Sequence, residues 1–304
     1  MIITNMKRMK ILLLLFISIS SVFVFGCTKD TDIIPSDASL GTMEVFVFST
    51  GKADAVLITT ENYTVLIDTG EDKHGKMITD YLAARGITVI DYLIITHFDK
   101  DHVGGADKVI RELTVKKIIV PNYEKDSEQY SQFIREANNA GTERSVLLQK
   151  TEFTLDSAKF VLYPSMQDYY DYGTSDSDDD DENAVNENNF SAVVRIKHGS
   201  KNFLFAGDAK AKRLKELLSD EEITSIKYDF LKVPHHGRYN KSSADFISRI
   251  SPEYAVITCS EDSPADSRLL EALEKTGAKV YLTASGNIRC TSDGRNLTVQ
   301  IQDE

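Results

Sequence analysis

Cysteine is scarce, with three in 304 residues. None lies in a Cys-x-x-Cys pair, so neither a disulfide framework nor a thiolate zinc site is expected. An oxidising compartment would permit a bond between Cys259 and Cys290, but Cys259 ends the apolar run Tyr254–Thr258 and reads as a buried strand residue. Proline is also rare, at 6 residues against 16 glycines, while 41% of the chain is hydrophobic and 27% charged. These fractions exclude collagen, coiled coil and wholesale disorder. Positive charge is in deficit: 35 Lys and Arg face 47 Asp and Glu, a net charge of −12. Such a chain lacks the broad basic footprint of a non-specific nucleic-acid binder. A polyanionic substrate is not excluded, because bound divalent cations reverse the sign locally. No internal repeat is evident, and the one long apolar run is Ile11 to Phe25.

That run follows a basic start, Lys7, Arg8 and Lys10. As a helix it would span roughly 22 Å at ~1.5 Å per residue, short of the ~30 Å hydrocarbon core. It therefore reads as a signal-peptide core. It closes on Val24-Phe25-Gly26-Cys27, which resembles the lipobox of bacterial lipoproteins and implies a lipidated Cys27. The expected organisation is a leader over 1–26, a polar tether over 27–40 and one domain over 41–304.

Beyond the tether, strands and helices alternate. Short β-branched or apolar runs bounded by Gly, Asn or Asp predict strands at 44–48, 55–59, 64–68, 91–96, 117–120, 145–148, 159–163, 191–197, 202–206, 230–233, 254–258 and 279–282, with a last pair near 288 and 297–301. Helical spacing predicts helices over 76–84, 104–113, 127–140, 211–218 and 268–275, and a capping box at Ser242 and Asp245 opens one that ends at Ile250. The pattern is α/β, with sheets covered by helices.

Chemistry concentrates in four stretches. The first, Thr96-His97-Phe98-Asp99-Lys100-Asp101-His102-Val103-Gly104-Gly105, directly follows a buried-type strand. Its two imidazoles and two carboxylates are a dense ligand set for a divalent cation. Extended backbone would set His97, Asp99 and Asp101 on one side, and a turn into a helix would let Asp101 and His102 face a second ion. The others are Asn188-Asn189-Phe190-Ser191, Phe205-Ala206-Gly207-Asp208 and Leu231-Lys232-Val233-Pro234-His235-His236-Gly237.

In this order the four resemble the motifs of metallo-β-lactamase-fold hydrolases. The nearest variant is the extracellular domain of ComEC-type competence proteins and related phosphodiesterases, where Asp replaces the middle His. The resemblance runs from about Gly41 to Glu304 and implies an αββα sandwich, two mixed sheets flanked by helices, with the site at one edge of the sheets. It also implies two divalent ions, Mn or Zn. His97, Asp99 and one of the paired histidines would hold the first, Asp101 and His102 the second, and Asp208 would bridge. The other paired histidine would act as general acid. His235 is assigned to metal and His236 to proton transfer, so that His236 and Asp101 stand as the catalytic residues. Asp68, in Ile67-Asp68-Thr69-Gly70, would orient the site loop.

Some positions depart from that pattern. Thr50-Gly51-Lys52-Ala53-Asp54 keeps only the Gly and Asp of a glycine-rich motif, and Arg238 stands where relatives carry Ser. The late His-Pro is replaced by Asp262-Ser263-Pro264-Ala265-Asp266. Either Asp262 or Asp266 supplies an oxygen instead, which suits Mn²⁺ or Mg²⁺, or the second ion is weakly held. Lys52 and Arg238 face a substrate phosphate or solvent. His74 and His198, beside glycines, are expected to be solvated. The acidic stretch Ser165 to Asn189 reads as a solvated loop rather than a calcium site, with Tyr169, Tyr170 and Tyr172 available to stack on bases or sugars.

The expectation is an extracytoplasmic hydrolase, lipid-anchored to the bacterial cell membrane through Cys27. It would act on a small-molecule or nucleic-acid phosphodiester. Competing readings are a phosphorylcholine esterase, a lactone hydrolase or a non-catalytic metal-binding lipoprotein. β-Lactamase chemistry ranks last because of Asp99.

Overall fold

Strands that are apolar on both faces need cover on both, and the chain supplies it. The computed structural model describes residues 40–166 and 186–302. The leader, Cys27 and residues 167–185, which include most of the acidic stretch and its three tyrosines, lie outside them. Residues Ser39–Glu304 form one unit.

Its first sheet has the order β15 (Leu297–Gln302), β14 (Asn287–Ser292), β1 (Met43–Val47), β2 (Val56–Thr59), β3 (Thr64–Ile67), β4 (Val89–Ile94), β5 (Thr114–Val120), β6 (Glu143–Val146). The second runs β13 (Lys279–Leu282), β12 (Tyr254–Ile257), β11 (Phe230–Lys232), β10 (Lys201–Phe205), β9 (Val193–His198), β8 (Ala158–Tyr163), β7 (Thr151–Leu155). Both are mixed: β3 to β6 pair in parallel, as do β10 to β13, and the other neighbours are antiparallel.

Period-two alternation builds the layers. On β1, Val45 and Val47 point between the sheets to join Phe160, Phe203 and Phe230. Phe46, between them in sequence, points the other way. There it lies under α1 (Asp72–Ala84), α3 (Ala106–Glu112) and α4 (Glu128–Asn139), whose Leu82, Val109 and Phe133 cover Leu66 and Leu93. On the far face, α5 (Ala211–Ser219), α7 (Ser243–Ile250) and α8 (Ser267–Thr276) cover Leu204 and Leu231 with Leu214, Phe246 and Leu273. The result is the αββα sandwich.

Several expectations change. Strand β7 was not anticipated: at a sheet edge its residues are only alternately buried, and Phe153 holds it by stacking on Tyr92 at 4.3 Å between ring centroids. The expected helix at 104–113 is α3, and a separate short helix, α2 (Lys100–Val103), precedes it. A further short helix, α6, covers Glu221–Thr224. No capping box forms at Ser242; its hydroxyl donates to the Ala211 carbonyl at 3.1 Å, and Asn240 closes the turn by accepting from the Ser242 amide. Cys259 and Cys290 are free and buried on different sides of the second sheet, so no disulfide joins them.

Neither His74 nor His198 is solvated. Helix α1 buries His74, whose Nδ1 accepts from the Glu71 amide at 3.0 Å. His198 bridges Ser292 and Ser157, with 2.9 Å to each hydroxyl, and its Nε2 also lies 3.4 Å from the Leu40 carbonyl. Burial lowers its pKa from 6.5, opposed by the Leu40 contact and by Asp293. The unfolded chain therefore binds more protons, so stability is lost as pH falls below 6.5 toward the folded value. Urea midpoints at pH 7 and pH 5 should fall less in His198→Gln than in the unmodified chain. Equal falls in both would remove His198 as the cause.

Candidate metal centre

The carboxyl ends of the two parallel strand groups, where ligands collect in α/β sheets, deliver the site. Asp68 follows β3, His97 follows β4, Asp208 follows β10, His235 and His236 follow β11, and Thr258 follows β12. These loops bond directly to one another: the Asp54 amide donates to the Asp101 carbonyl at 3.0 Å and Thr69 to His102 at 2.7 Å. Asp68, His235 and His236 sit at φ of 57°, 51° and 53°. Left-handed backbone at non-glycine residues is costly and concentrates at functional sites. Gly207 is also left-handed, and a Cβ there would lie 3.0 Å from the Ser191 side chain, so glycine permits the turn that aims Asp208.

Three imidazoles are prepared in the same way. His97 Nδ1 lies 3.1 Å from the Thr96 hydroxyl, His102 Nδ1 lies 2.8 Å from Asp68 Oδ2, and His236 Nδ1 lies 3.0 Å from Thr258 Oγ1. Their three Nε2 atoms, and Asp208 Oδ1, are buried without a hydrogen-bond partner. Holding one ring nitrogen to free the other is how proteins orient metal-binding histidine. Asp101, His102, Asp208 and His236 offer ligand atoms that all lie within 4.8 Å of one another. Asp208 faces both imidazoles, at 3.2 Å from His102 Nε2 and 3.0 Å from His236 Nε2.

Electrostatics fit a cation. Burial works against charge on His102, but Asp208 and Asp68 raise its pKa well above 6.5. Burial likewise opposes charge on His236, yet Asp208 and Asp54 push it up to about 10. For Asp208, burial is overcome by His236 and His102, which hold its carboxyl well below the ordinary range. Carboxylates this crowded demand positive charge, and a divalent ion meets the demand that the two imidazoliums otherwise meet.

The paired histidines take different positions. His236 stands inside the carboxylate cluster, 2% exposed, with Nε2 toward Asp208 and Asp101 and Nδ1 toward Thr258 and Asp54, which puts it among the candidate ligands. His235 faces away from that cluster toward Asn188 Nδ2 at 3.5 Å. Burial lowers it to about 4, leaving a neutral imidazole. His97 and Asp99 form a neighbouring pair, with Nε2 to Oδ2 at 3.6 Å. Asp262 and Asp266 do not join the cluster: Asp262 is exposed, and Asp266 caps α8 and pairs with Arg268. Asp68 takes its expected orienting position, accepting from the Thr96 amide and hydroxyl as well as facing His102.

Three charged contributors were not anticipated. Lys232 is buried and pairs with Asp54, which also accepts from Thr258 at 2.6 Å. The available signal was a lone lysine inside an apolar strand. Arg213, also buried, donates to the Ser191 and Tyr163 carbonyls and so clamps the Asn188–Ser191 turn. Lys125 reaches Asp99; as one charge in a polar loop it gave no sequence signal. Above the centre lies a cleft of about 380 Å³ lined by Lys52, Lys100 and Lys125 with Asp99, Asp101, Asp208 and His235.

The family model of the metallo-β-lactamase superfamily matches residues 49–260. The chain belongs to that superfamily. Its members are typically metal-dependent hydrolases. It is similar to ComE operon protein 3 of Bacillus subtilis, 26% identical over 262 residues that cover 79% of this chain and 32% of that protein. It is also similar to Recombination protein 2 of Haemophilus influenzae, 27% identical over 271 residues, 85% of this chain and 30% of that protein. The chain thus spans about a third of the length of these curated relatives. Among solved structures, Tm1679, a metal-dependent hydrolase of the β-lactamase superfamily, superposes with a TM-score of 0.53 at 12% identity, covering 81% of this chain and 98% of that one. The metallo-β-lactamase fold protein YhfI of Bacillus subtilis gives 0.50 at 11% identity, covering 79% and 96%. These two likenesses establish the fold.

Proposed function

We propose that the chain is an extracytoplasmic, divalent-metal-dependent phosphodiesterase. The observation that carries the reading is the set of three imidazoles with Nδ1 engaged and Nε2 buried without a hydrogen bond, two of them, His102 and His236, gathered with Asp101 and Asp208 and the third, His97, 4.0 Å from the His102 ring. Asp101, His102 and His236 would hold one ion, and His97, Asp99 and His235 the other, with Asp208 between them. Bound divalent ions would supply Lewis-acid polarisation of a phosphoryl group and activation of water near neutral pH. The chain's own residues do the rest. Asp68, Thr96 and Thr258 fix the imidazoles, and Asp208 sits nearly buried at the floor of the cleft. Lys52, whose Nζ lies 3.6 Å from Asp101 Oδ2, borders the cleft where an anionic substrate would enter. With the cleft carboxylates committed to metal, Lys52 and Lys100 remain at its wall and favour a phosphate ester over a neutral lactone. Arg238 is exposed and is not among the residues lining the cleft.

The three carboxylates and the absent late histidine favour a harder ion than zinc. Purified domain should hydrolyse bis(4-nitrophenyl) phosphate faster with Mn²⁺ than with Zn²⁺ and stop on chelation. Activity confined to a lactone or a β-lactam would replace the substrate assignment, whereas activity confined to a choline phosphodiester would narrow it. Stoichiometric metal with no turnover on any of these would instead favour a metal-binding module. The proposed location rests on the basic start, the apolar run and Cys27, and an unlipidated N-terminus in the mass of the native protein would refute the lipid anchor at Cys27.

A further inference from the structure

We infer that Lys125 is a positioning residue for the first metal subsite, fixing the Asp99 carboxylate from behind with Glu187 as its counter-charge. The inference rests on the two-ion reading above. Lys125 Nζ donates to Asp99 Oδ1 at 2.5 Å and also to Glu187 Oε2. That leaves Asp99 Oδ2 as the oxygen turned toward His97 Nε2, 3.6 Å away, and His97 Nε2 is itself buried without a hydrogen-bond partner.

Both flanking segments hold this geometry. The loop between β5 and α4 that carries Lys125 is fastened to the His97–His102 loop by Tyr123, whose hydroxyl accepts from the Phe98 amide at 2.8 Å. Phe98 stands between His97 and Asp99 in sequence, and its ring meets Tyr123 edge-on at 4.9 Å. On the downstream side, the Ser127 hydroxyl caps α4 by accepting from the Tyr130 amide. Glu187 is set by the turn in which the Asn188 amide donates to Asn186 Oδ1, within the same short helix that brings Asn188 to His235. A single ammonium therefore ties the first-subsite carboxylate to the Asn188 turn.

A lysine beside a metal carboxylate would oppose the ion if it carried its charge alone. Paired with Glu187 it adds little net field and acts by orientation, as partners of metal ligands commonly do. Aspartate released from this hold would be free to rotate, and the subsite would lose a fixed oxygen.

The test is manganese binding by the full chain, read by titration calorimetry and by the metal-to-protein ratio after desalting, with thermal unfolding as the check on folding. The unmodified chain should hold two ions. Lys125→Met should weaken one by ~10–100-fold and leave the other unchanged. Lys125→Arg should restore most of the loss, because it keeps two donors and the charge. Glu187→Gln should weaken the same ion, more mildly, while remaining folded if Lys125→Met is not. Two ions of unaltered affinity in Lys125→Met would overturn the inference and leave the proposed function standing. Failure of Lys125→Arg to do better than Lys125→Met would assign the lysine a bulk-filling role and also overturn it. An unmodified chain that binds fewer than two ions would remove the two-ion reading and this inference together.

Discussion

Asp208→Ala should remove bound metal and turnover together. Asp208 lies 3.2 Å from His102 Nε2 and 3.0 Å from His236 Nε2, and its Oδ1 is buried without a well-aligned hydrogen bond. Its removal leaves two imidazoles without the charge they face, and the expected loss in kcat is roughly 10³-fold or more, beyond that of a single electrostatic contact. His236→Ala should lose one ion, because His236 belongs to the buried ligand cluster. If His236→Ala instead kept its full metal content while kcat fell, the histidine would be a proton donor and the arrangement proposed for the pair would be wrong. Metal analysis on the same samples used for kinetics separates the two outcomes.

Lys232→Ala should destabilise the fold by about 3–5 kcal/mol, the cost of leaving one member of a buried ion pair without its partner. Lys232 and Asp54 are both nearly inaccessible, at 1% and 2%. The lysine also reaches the Gly207 carbonyl at 3.4 Å, just before Asp208. Burial opposes charge on Asp54, yet Lys232 and His236 hold its carboxyl well below the ordinary range, so Asp54 would remain charged and stranded. Urea unfolding gives the measure. Lys232→Met combined with Asp54→Asn should recover part of the loss, since neither charge then remains. A single-variant loss below ~1 kcal/mol would place the pair among weakly contributing surface bridges.

Much of this site is legible along the chain because ligand motifs are local. His97, Asp99, Asp101 and His102 lie on one short loop after a strand, and the turn ending in Asp208 follows another. Strand limits near the site were read to within one or two residues, since both faces of those strands are buried and their apolar runs are continuous. Edge strand β7 was missed because two of its five residues face solvent and only Leu155 is buried. His74 and His198 were misread because a neighbouring glycine suggests a loop, whereas His74 is held in the first turn of α1 by the Glu71 amide and His198 by Ser292, 94 residues away.

What the sequence determined by itself is the α/β class, the two-sided burial of the strands and the stretches that carry the candidate metal-site residues, because periodicity and short motifs are properties of neighbours along the chain. Only the tertiary structure decided that His236 rather than His235 enters the carboxylate cluster. Adjacent residues with left-handed backbone send their side chains in different directions, and the groups that receive them, Asp208, Thr258 and Asn188, come from separate strand ends. The same holds for Lys232 with Asp54 and for Lys125 with Asp99 and Glu187. A charge's partner is fixed by the closing of two sheets over one another, and spacing along the chain carries no record of it.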